Sequence, residues 1–298
     1  MSRRTRWQFP LAAVAGIALF AYSVASVGPR ELAAQMRSLA PVLPLILALA
    51  AIRFLLQAAG WRAAMPAGRR PGWRDAFAAV VAGEAAGYFA WGPVTREPMK
   101  AMFVSHAVPQ RAALTAAVFE RFVYAIAATL LIVAALGIAA VRYQFVGRFL
   151  FGSGLVIGAA LTMTQYWRRV SGDVQRHRSS LGRLASLAAA QEISNLVEAY
   201  IVLAWLGAAP TLAAIVVLEG ISRLMNSAGQ FIPGKLGVTE AATAALADGL
   251  RLGSAHGLSL ALARRVRSLA WGALGIALVA ARALNQEAAA VPAGVVRS

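Results

Sequence analysis

This chain of 298 residues is 59% hydrophobic, with a mean hydropathy of +0.64, which is too apolar for an ordinary soluble domain. It has no cysteine, which excludes disulfides and cysteine-based metal sites. The formal net charge is +17, but the arginines cluster at the ends of apolar runs, as in membrane proteins with basic cytoplasmic loops. The composition therefore predicts a single all-α integral membrane domain over residues 1–298. Its expected partners are membrane lipids with anionic or polar headgroups, and no nucleic acid.

An arginine-rich loop follows the first two apolar runs. Residues 9–27 are uncharged and follow a basic start, so we expect a retained first helix with a cytoplasmic N-terminus. A Gly-Pro pair ends this helix, and residues 41–60 predict the second span, with Arg53 close enough to its end to snorkel. The arginines up to Arg74 then place the next loop in the cytoplasm.

Residues 83–121 carry many charges within apolar sequence, and Pro93 and Pro98 break any helix through them. The ionisable residues of this first motif are Glu84, Arg96, Glu97, Lys100, Glu120 and Arg121. An ionisable residue at membrane depth normally faces a partner or a wet cavity, and irregular backbone is tolerated only in such places. The first motif is therefore a candidate functional site.

Whether residues 76–108 cross the membrane depends on which side of the membrane a later loop occupies. Residues 168–183 hold five arginines and should be cytoplasmic. Two predicted spans, 112–141 and 149–167, separate that loop from the first motif, so residues 76–108 would begin and end on the same face. This favours a re-entrant hairpin or two short broken helices. If the loop is external, the stretch is a single crossing.

Two later apolar runs, 184–207 and 211–226, each carry a polar stripe. Because each helical residue turns about 100°, the polar residues of each run fall on one face. Glu219 also stands i, i+4 from Arg223, which predicts an ion pair. With Glu84, the candidate cavity-lining residues are Glu192, Asn195, Glu198, Glu219, Arg223 and Asn226. Cavity lining and hydrogen bonding between helices both remain open for these stripes.

A second motif, residues 226–267, repeats the layout of the first. The two lysines of the chain, Lys100 and Lys235, fall one in each motif. Glu97 precedes Arg121 by 24 positions, and Glu240 precedes Arg264 by the same number. This predicts a weak internal repeat, with halves at about 76–141 and 211–281 that each supply part of one site.

The second motif continues into the last predicted span. Residues 238–250 predict a short helix with Glu240 in its first turn, where the helix dipole favours a carboxylate. The span is expected at 259–281, with Arg264, Arg265 and Arg267 in its first turns. Residues 285–298 form an alanine-rich tail.

The two motifs resemble those of the flippase-like transmembrane family. This family includes the membrane half of the bacterial lysylphosphatidylglycerol synthase/flippase and stand-alone relatives, some of them linked to hopanoid or isoprenoid lipids. The matching positions are Gly92-Pro93, Arg96-Glu97, Lys100, Glu120-Arg121, Pro233-Gly234, Gly237, Glu240 and Arg264 or Arg265. Arg96 and Lys235 depart from the pattern, because they stand where the family has glycine.

The resemblance covers about 53–281 and implies a transporter-like fold of seven to eight membrane helices, two of them broken or re-entrant, in the bacterial cytoplasmic membrane. It implies movement of a polar-headed lipid. The expected substrate-binding residues are Arg96, Glu97, Lys100, Glu120, Arg121, Lys235, Glu240, Arg264 and Arg265. Arginine would bind a lipid phosphate in a bidentate manner, and lysine would act as a point charge. The alternative is that these residues form ion pairs that brace the broken helices.

We expect a flippase or transporter and not an enzyme, because the sequence shows no nucleotide-binding loop, metal cluster or aminoacyl-transferase domain. No cofactor or metal is expected, since the three histidines lack ligand spacing. Two alternatives remain. One is an integral-membrane enzyme of lipid modification with Glu97 or Glu240 as base. The other is an accessory subunit of a lipid or envelope biosynthesis complex.

Overall fold

The computed structural model describes Ala25 and residues 29–89, 93–143, 180–228 and 237–290, and the regular elements in these ranges are helices. The α-helices are α1 (Pro29–Leu39), α2 (Leu43–Ala63), α3 (Trp73–Phe89), α4 (Pro93–Phe103), α5 (Gln110–Arg142), α6 (Leu181–Trp205), α7 (Leu212–Ala228), α8 (Val238–Gly249) and α9 (Ser254–Ala290). Short 3-10 turns lie at Ala40–Val42 and Ala67–Arg69. The predicted all-α class is confirmed.

Four helical segments in the described ranges are long and apolar enough to cross a membrane. They are Pro29–Ala63, Gln110–Arg142, Leu181–Trp205 and Ser254–Leu284. Large apolar side chains such as Leu130, Val141 and Ile276 are exposed on these segments, which suits contact with lipid. The chain is thus a multi-pass membrane protein. The spans predicted at 9–27 and 149–167 lie outside the described residues.

Two helices differ from the predictions. Helix α1 was not predicted; it begins at Pro29, because proline is tolerated in a first helical turn, where its missing N–H leaves no bond unmade. The predicted end of the preceding span at the Gly-Pro pair falls at the edge of the described residues. Helix α9 begins at Ser254, five residues before the predicted 259, so its arginines lie well inside the helix. It also runs to Ala290, so the first part of the predicted tail is helical.

Helices α3 and α4 form an antiparallel hairpin. The Thr95 hydroxyl donates a hydrogen bond to the Ala86 carbonyl at 3.0 Å. Asp75 at the start of α3 lies 3.7 Å from His106, which follows α4. The two ends of the stretch therefore meet, as the hairpin prediction requires. With 17 and 11 residues, both helices are shorter than the roughly 20 residues that cross a bilayer.

Glycines let the helices approach closely around this hairpin. A Cβ on Gly275 of α9 would lie 2.6 Å from the Val81 carbonyl oxygen of α3. A Cβ on Gly220 of α7 would lie 3.0 Å from the Leu131 carbonyl oxygen of α5. Backbones this close are typical of membrane helices that pack through small residues. As a result, α9 packs closely on α3, and α7 packs closely on α5.

Candidate functional site

Most of the charged residues singled out from the sequence lie between the helices, together with Arg53 and Arg267. We call this set the charge network. Its acidic members are Glu84, Glu97, Glu120, Glu192, Glu198, Glu219 and Glu240. Its basic members are Arg53, Arg96, Lys100, Arg121, Arg223, Arg264, Arg265 and Arg267. Burial of so many charges requires that they compensate one another.

One part of the network is a wholly buried lysine between two acids, which we call the Lys100 cluster. The Lys100 Nζ lies 2.7 Å from Glu97 Oε2 on the same helix and 3.3 Å from Glu120 Oε2 on α5. It also lies 5.3 Å from the ring centre of Trp61 on α2. Gly83 makes room for it, because a Cβ there would lie 2.7 Å from Lys100 Cγ. The Lys100 cluster thus joins α2, α3, α4 and α5.

The opposite stoichiometry is found around Glu198 on α6, whose side chain is 0% exposed. Arg264 Nε approaches Glu198 Oε1 at 3.1 Å, Arg53 Nη1 approaches Oε2 at 3.4 Å, and Arg267 also contacts Oε2. Arg264 reaches Glu219 on α7 at 2.7 Å as well. These five residues form the Glu198 cluster. It links α2, α6, α7 and α9 through three guanidinium groups and two carboxylates.

The position of Arg53 corrects the prediction that it snorkels to a helix end. Its guanidinium turns inward, pairs with Glu198 and donates to the Asn195 side-chain oxygen. The reason is its place near the middle of α2, where a long polar side chain finds its nearest partners on α6.

A third part of the network surrounds Tyr124 on α5. Arg223 lies 2.5 Å from Glu192 and donates to the Tyr124 hydroxyl at 2.8 Å. Arg121 lies over the Tyr124 ring at 5.1 Å. The close ion pairs are Arg223 with Glu192 and Arg264 with Glu219, in place of the predicted pair. Glu219 still attracts Arg223 electrostatically. Helix packing, rather than i, i+4 spacing, selects these partners.

Glu84 connects the separate parts of the network. Arg96 pairs with Glu84 and so ties α4 to α3 within the hairpin. The charges of Arg53, Arg121 and Arg267 also act on the Glu84 carboxylate. Through Glu84, the first motif is therefore in electrostatic contact with the Glu198 cluster.

The second motif supplies a further buried pair. Glu240 is buried, lies 2.5 Å from Arg265 on α9, and accepts a hydrogen bond from the Gly237 N–H at 2.9 Å at the start of α8. Tyr88 of α3 lies within electrostatic reach of both Arg265 and Glu240. The second motif therefore lies beside the hairpin of the first. Lys235 is outside the described residues, and Asn226 is described only as part of the α7 backbone.

Four contributors were missed as site residues from the sequence: Trp61, Tyr124, Arg53 and Arg267. Because Tyr124 follows Arg121 by one helical turn, the sequence could have predicted that their side chains are in contact. No pattern in the sequence pointed to Trp61. Within the described ranges, no group of three or more histidine and acidic residues could hold a metal ion.

The fold and the network define a class: a multi-pass helical membrane protein with a helical hairpin and a compensated charge network between its helices. The family model of the lysylphosphatidylglycerol synthase TM region matches residues 8–277, and the chain belongs to this family. The match spans both motifs, so the predicted family is confirmed. Searches of curated proteins and of solved structures found no match.

Proposed function

We propose that this protein moves a polar-headed lipid through the membrane, and that the headgroup is handled by the partly exposed part of the charge network. The family description, which names the membrane region of a synthase for a charged phospholipid, supports a lipid-related role. The observation that carries the proposal is the concentration of compensated charge between apolar helices. We place the protein in the bacterial cytoplasmic membrane, with its N-terminus in the cytoplasm.

The Lys100 cluster and the Glu198 cluster suit different tasks. The Lys100 cluster is sealed from its surroundings, so we assign Glu97, Lys100 and Glu120 to bracing the hairpin. The arginines of the Glu198 cluster are between 13% and 20% exposed. A headgroup can therefore reach these arginines and replace a carboxylate partner. Arginine is suited to this exchange, since its planar fork binds carboxylate and phosphate alike.

Similar ion pairs in the two halves of the predicted repeat support one site built from two motifs. In the first half, Lys100 and Glu120 join the short helix α4 to the long helix α5. In the second half, Glu240 and Arg265 join the short helix α8 to the long helix α9. Both halves thus use an ion pair between a short helix and the long helix that follows, as expected for repeats that meet around a transport path.

Movement of lipid by the purified chain would test the proposal. The full chain is reconstituted in liposomes with a trace of fluorescent phospholipid in both leaflets, and an impermeant quencher reports the lipid that reaches the outer leaflet. We expect faster movement than in empty liposomes, and loss of that gain in Glu198→Gln. Glu31→Gln removes an exposed carboxylate on α1 and serves as the matched control. Movement at the rate of empty liposomes would overturn the proposal.

The same liposomes also separate the alternatives. Mass spectrometry of the lipids after incubation would show a new covalent lipid species if the protein is an enzyme of lipid modification. Such turnover without movement would replace the transporter with an enzyme.

A further inference from the structure

We propose that the headgroup carries a net negative charge, as in a lipid phosphate without a compensating amine, and that Arg121 is its primary contact. This inference rests on the function proposed above, and it names the class of substrate for that site.

The positive and negative charges of the network do not balance. In the described residues the network has eight basic and seven acidic members, an excess of one positive charge. The excess is unevenly placed. The Lys100 cluster has two acids for one base, whereas the Glu198 cluster has three bases for two acids. Three separate pairs are balanced: Arg96 with Glu84, Arg223 with Glu192, and Arg265 with Glu240.

Arg121 is the basic member of the network that takes part in none of these ion pairs. Each of the other seven bases has a carboxylate oxygen within 4.0 Å, but Arg121 has none among the described residues. Its guanidinium instead lies 5.1 Å from the centre of the Tyr124 ring. It acts on Glu84 and Glu192 at longer range. Both of these acids already pair with another arginine.

The surroundings make Arg121 a suitable anion contact. Its side chain is partly exposed, so a ligand can reach it. Arg223 approaches the same Tyr124 ring at 5.9 Å, which places two guanidinium groups around one aromatic side chain. Like charges held together in a medium of low dielectric constant are unfavourable, and a bound anion would relieve them. The five N–H donors of arginine match the oxygens of a phosphate.

The charge distribution also discriminates between headgroups. A headgroup with a net positive charge would add to the excess, and a zwitterion would not reduce it. The surplus carboxylate that could have bound an amine lies in the Lys100 cluster, where Glu97, Lys100 and Glu120 are all buried. In the described part of the network, a headgroup amine therefore has no exposed surplus of carboxylates to bind.

Native mass spectrometry of the full chain in mild detergent tests the inference with lipids of identical dioleoyl chains. We expect phosphatidylglycerol, with one negative charge, to be retained about tenfold more than zwitterionic phosphatidylcholine. Arg121→Gln should lower that retention about tenfold. Arg111→Gln removes an exposed arginine from the same helix and should leave retention unchanged. Equal retention of the two lipids, or full retention by Arg121→Gln, would overturn the inference.

Inorganic phosphate distinguishes a lipid site from a site for a free anion. If millimolar phosphate displaces phosphatidylglycerol from the wild-type chain, and Arg121 is needed for this, the anion chemistry is supported. If phosphate binds in an Arg121-dependent way while no lipid is retained, the lipid assignment fails.

A folding defect can be told apart from a lost ligand contact. Because no carboxylate of the described residues contacts Arg121, its removal should leave the melting temperature in detergent unchanged or higher, whereas Arg264→Gln should lower it. A loss in Arg121→Gln as large as that in Arg264→Gln would make Arg121 structural and overturn the inference. Selective retention of phosphatidylglycerol without movement in liposomes would end the transport proposal alone. Movement that ignores headgroup charge would end this inference alone.

Discussion

In the Lys100 cluster one ammonium lies between two carboxylates, whereas in the Glu198 cluster three guanidinium groups share two carboxylates. The first is sealed between four helices, and the arginines of the second are partly exposed. A sealed cluster gives a ligand no access, so the role we propose for its charges is to stabilise helix packing. A partly exposed cluster with surplus cations can exchange a carboxylate for another anion. Stoichiometry and exposure together are why we propose bracing for the first cluster and binding for the second.

The largest effect is expected at Glu198. Glu198→Gln would leave three arginines without their shared carboxylate, and arginine cannot give up its proton to relieve the repulsion. Loss of one partner from a buried ion pair costs about 3 to 5 kcal/mol, and we expect the upper end of this range. Denaturant unfolding in detergent measures it, with Glu31→Gln as the control. An unchanged unfolding midpoint would contradict the described cluster.

A smaller loss, about 3 kcal/mol, is expected for Lys100→Met, because two carboxylates lose their shared partner instead of three guanidinium groups. The triple variant Lys100→Met, Glu97→Gln, Glu120→Gln should recover most of this loss, since uncharged side chains replace a buried ion pair with little change in stability. The same unfolding assay measures both variants. A triple variant as unstable as the single one would show that the charges do more than compensate one another.

Gly83 tests how the Lys100 cluster is sealed. Gly83→Ala would place a methyl group 2.9 Å from the Arg96 carbonyl oxygen, and such crowding costs about 1 to 3 kcal/mol. Gly137→Ala on α5 is the matched control, because a Cβ there meets nothing within 4 Å. The control should gain up to about 1 kcal/mol from helix propensity. Equal effects of both changes, measured as melting temperature in detergent, would contradict close packing at Gly83.

The smallest change in stability, within about 0.5 kcal/mol, is expected for single cysteines at Arg74 and Arg111, which are both exposed. They flank the hairpin that holds the Lys100 cluster, and the chain has no other cysteine. Since the hairpin ends meet, both cysteines should react with an impermeant thiol reagent from the same side of the membrane. Labelling from opposite sides would make the stretch a single crossing.

The sequence was sufficient to predict that charges are buried, because carboxylates within apolar runs have no solvated face to occupy. It also predicted the short helix after Gly237 and the hairpin, which follow from local signals and from loop charge. It could not predict which charges pair. Glu198 meets Arg53, which lies 145 positions away, through the packing of α2 on α6. Such contacts depend on helix packing, which the residue pattern of a single run does not contain.

The central claim is that the two motifs act on one lipid, although Arg121 and Arg264 lie 143 positions apart. A double-mutant cycle on lipid movement in liposomes tests it most directly. We expect Arg121→Gln and Arg264→Gln each to slow movement about tenfold, and the double variant to be no slower than the slower single variant, because residues that act as a unit are not additive. Losses that multiply to about a hundredfold in the double variant would show that the motifs act independently, and would contradict the shared site.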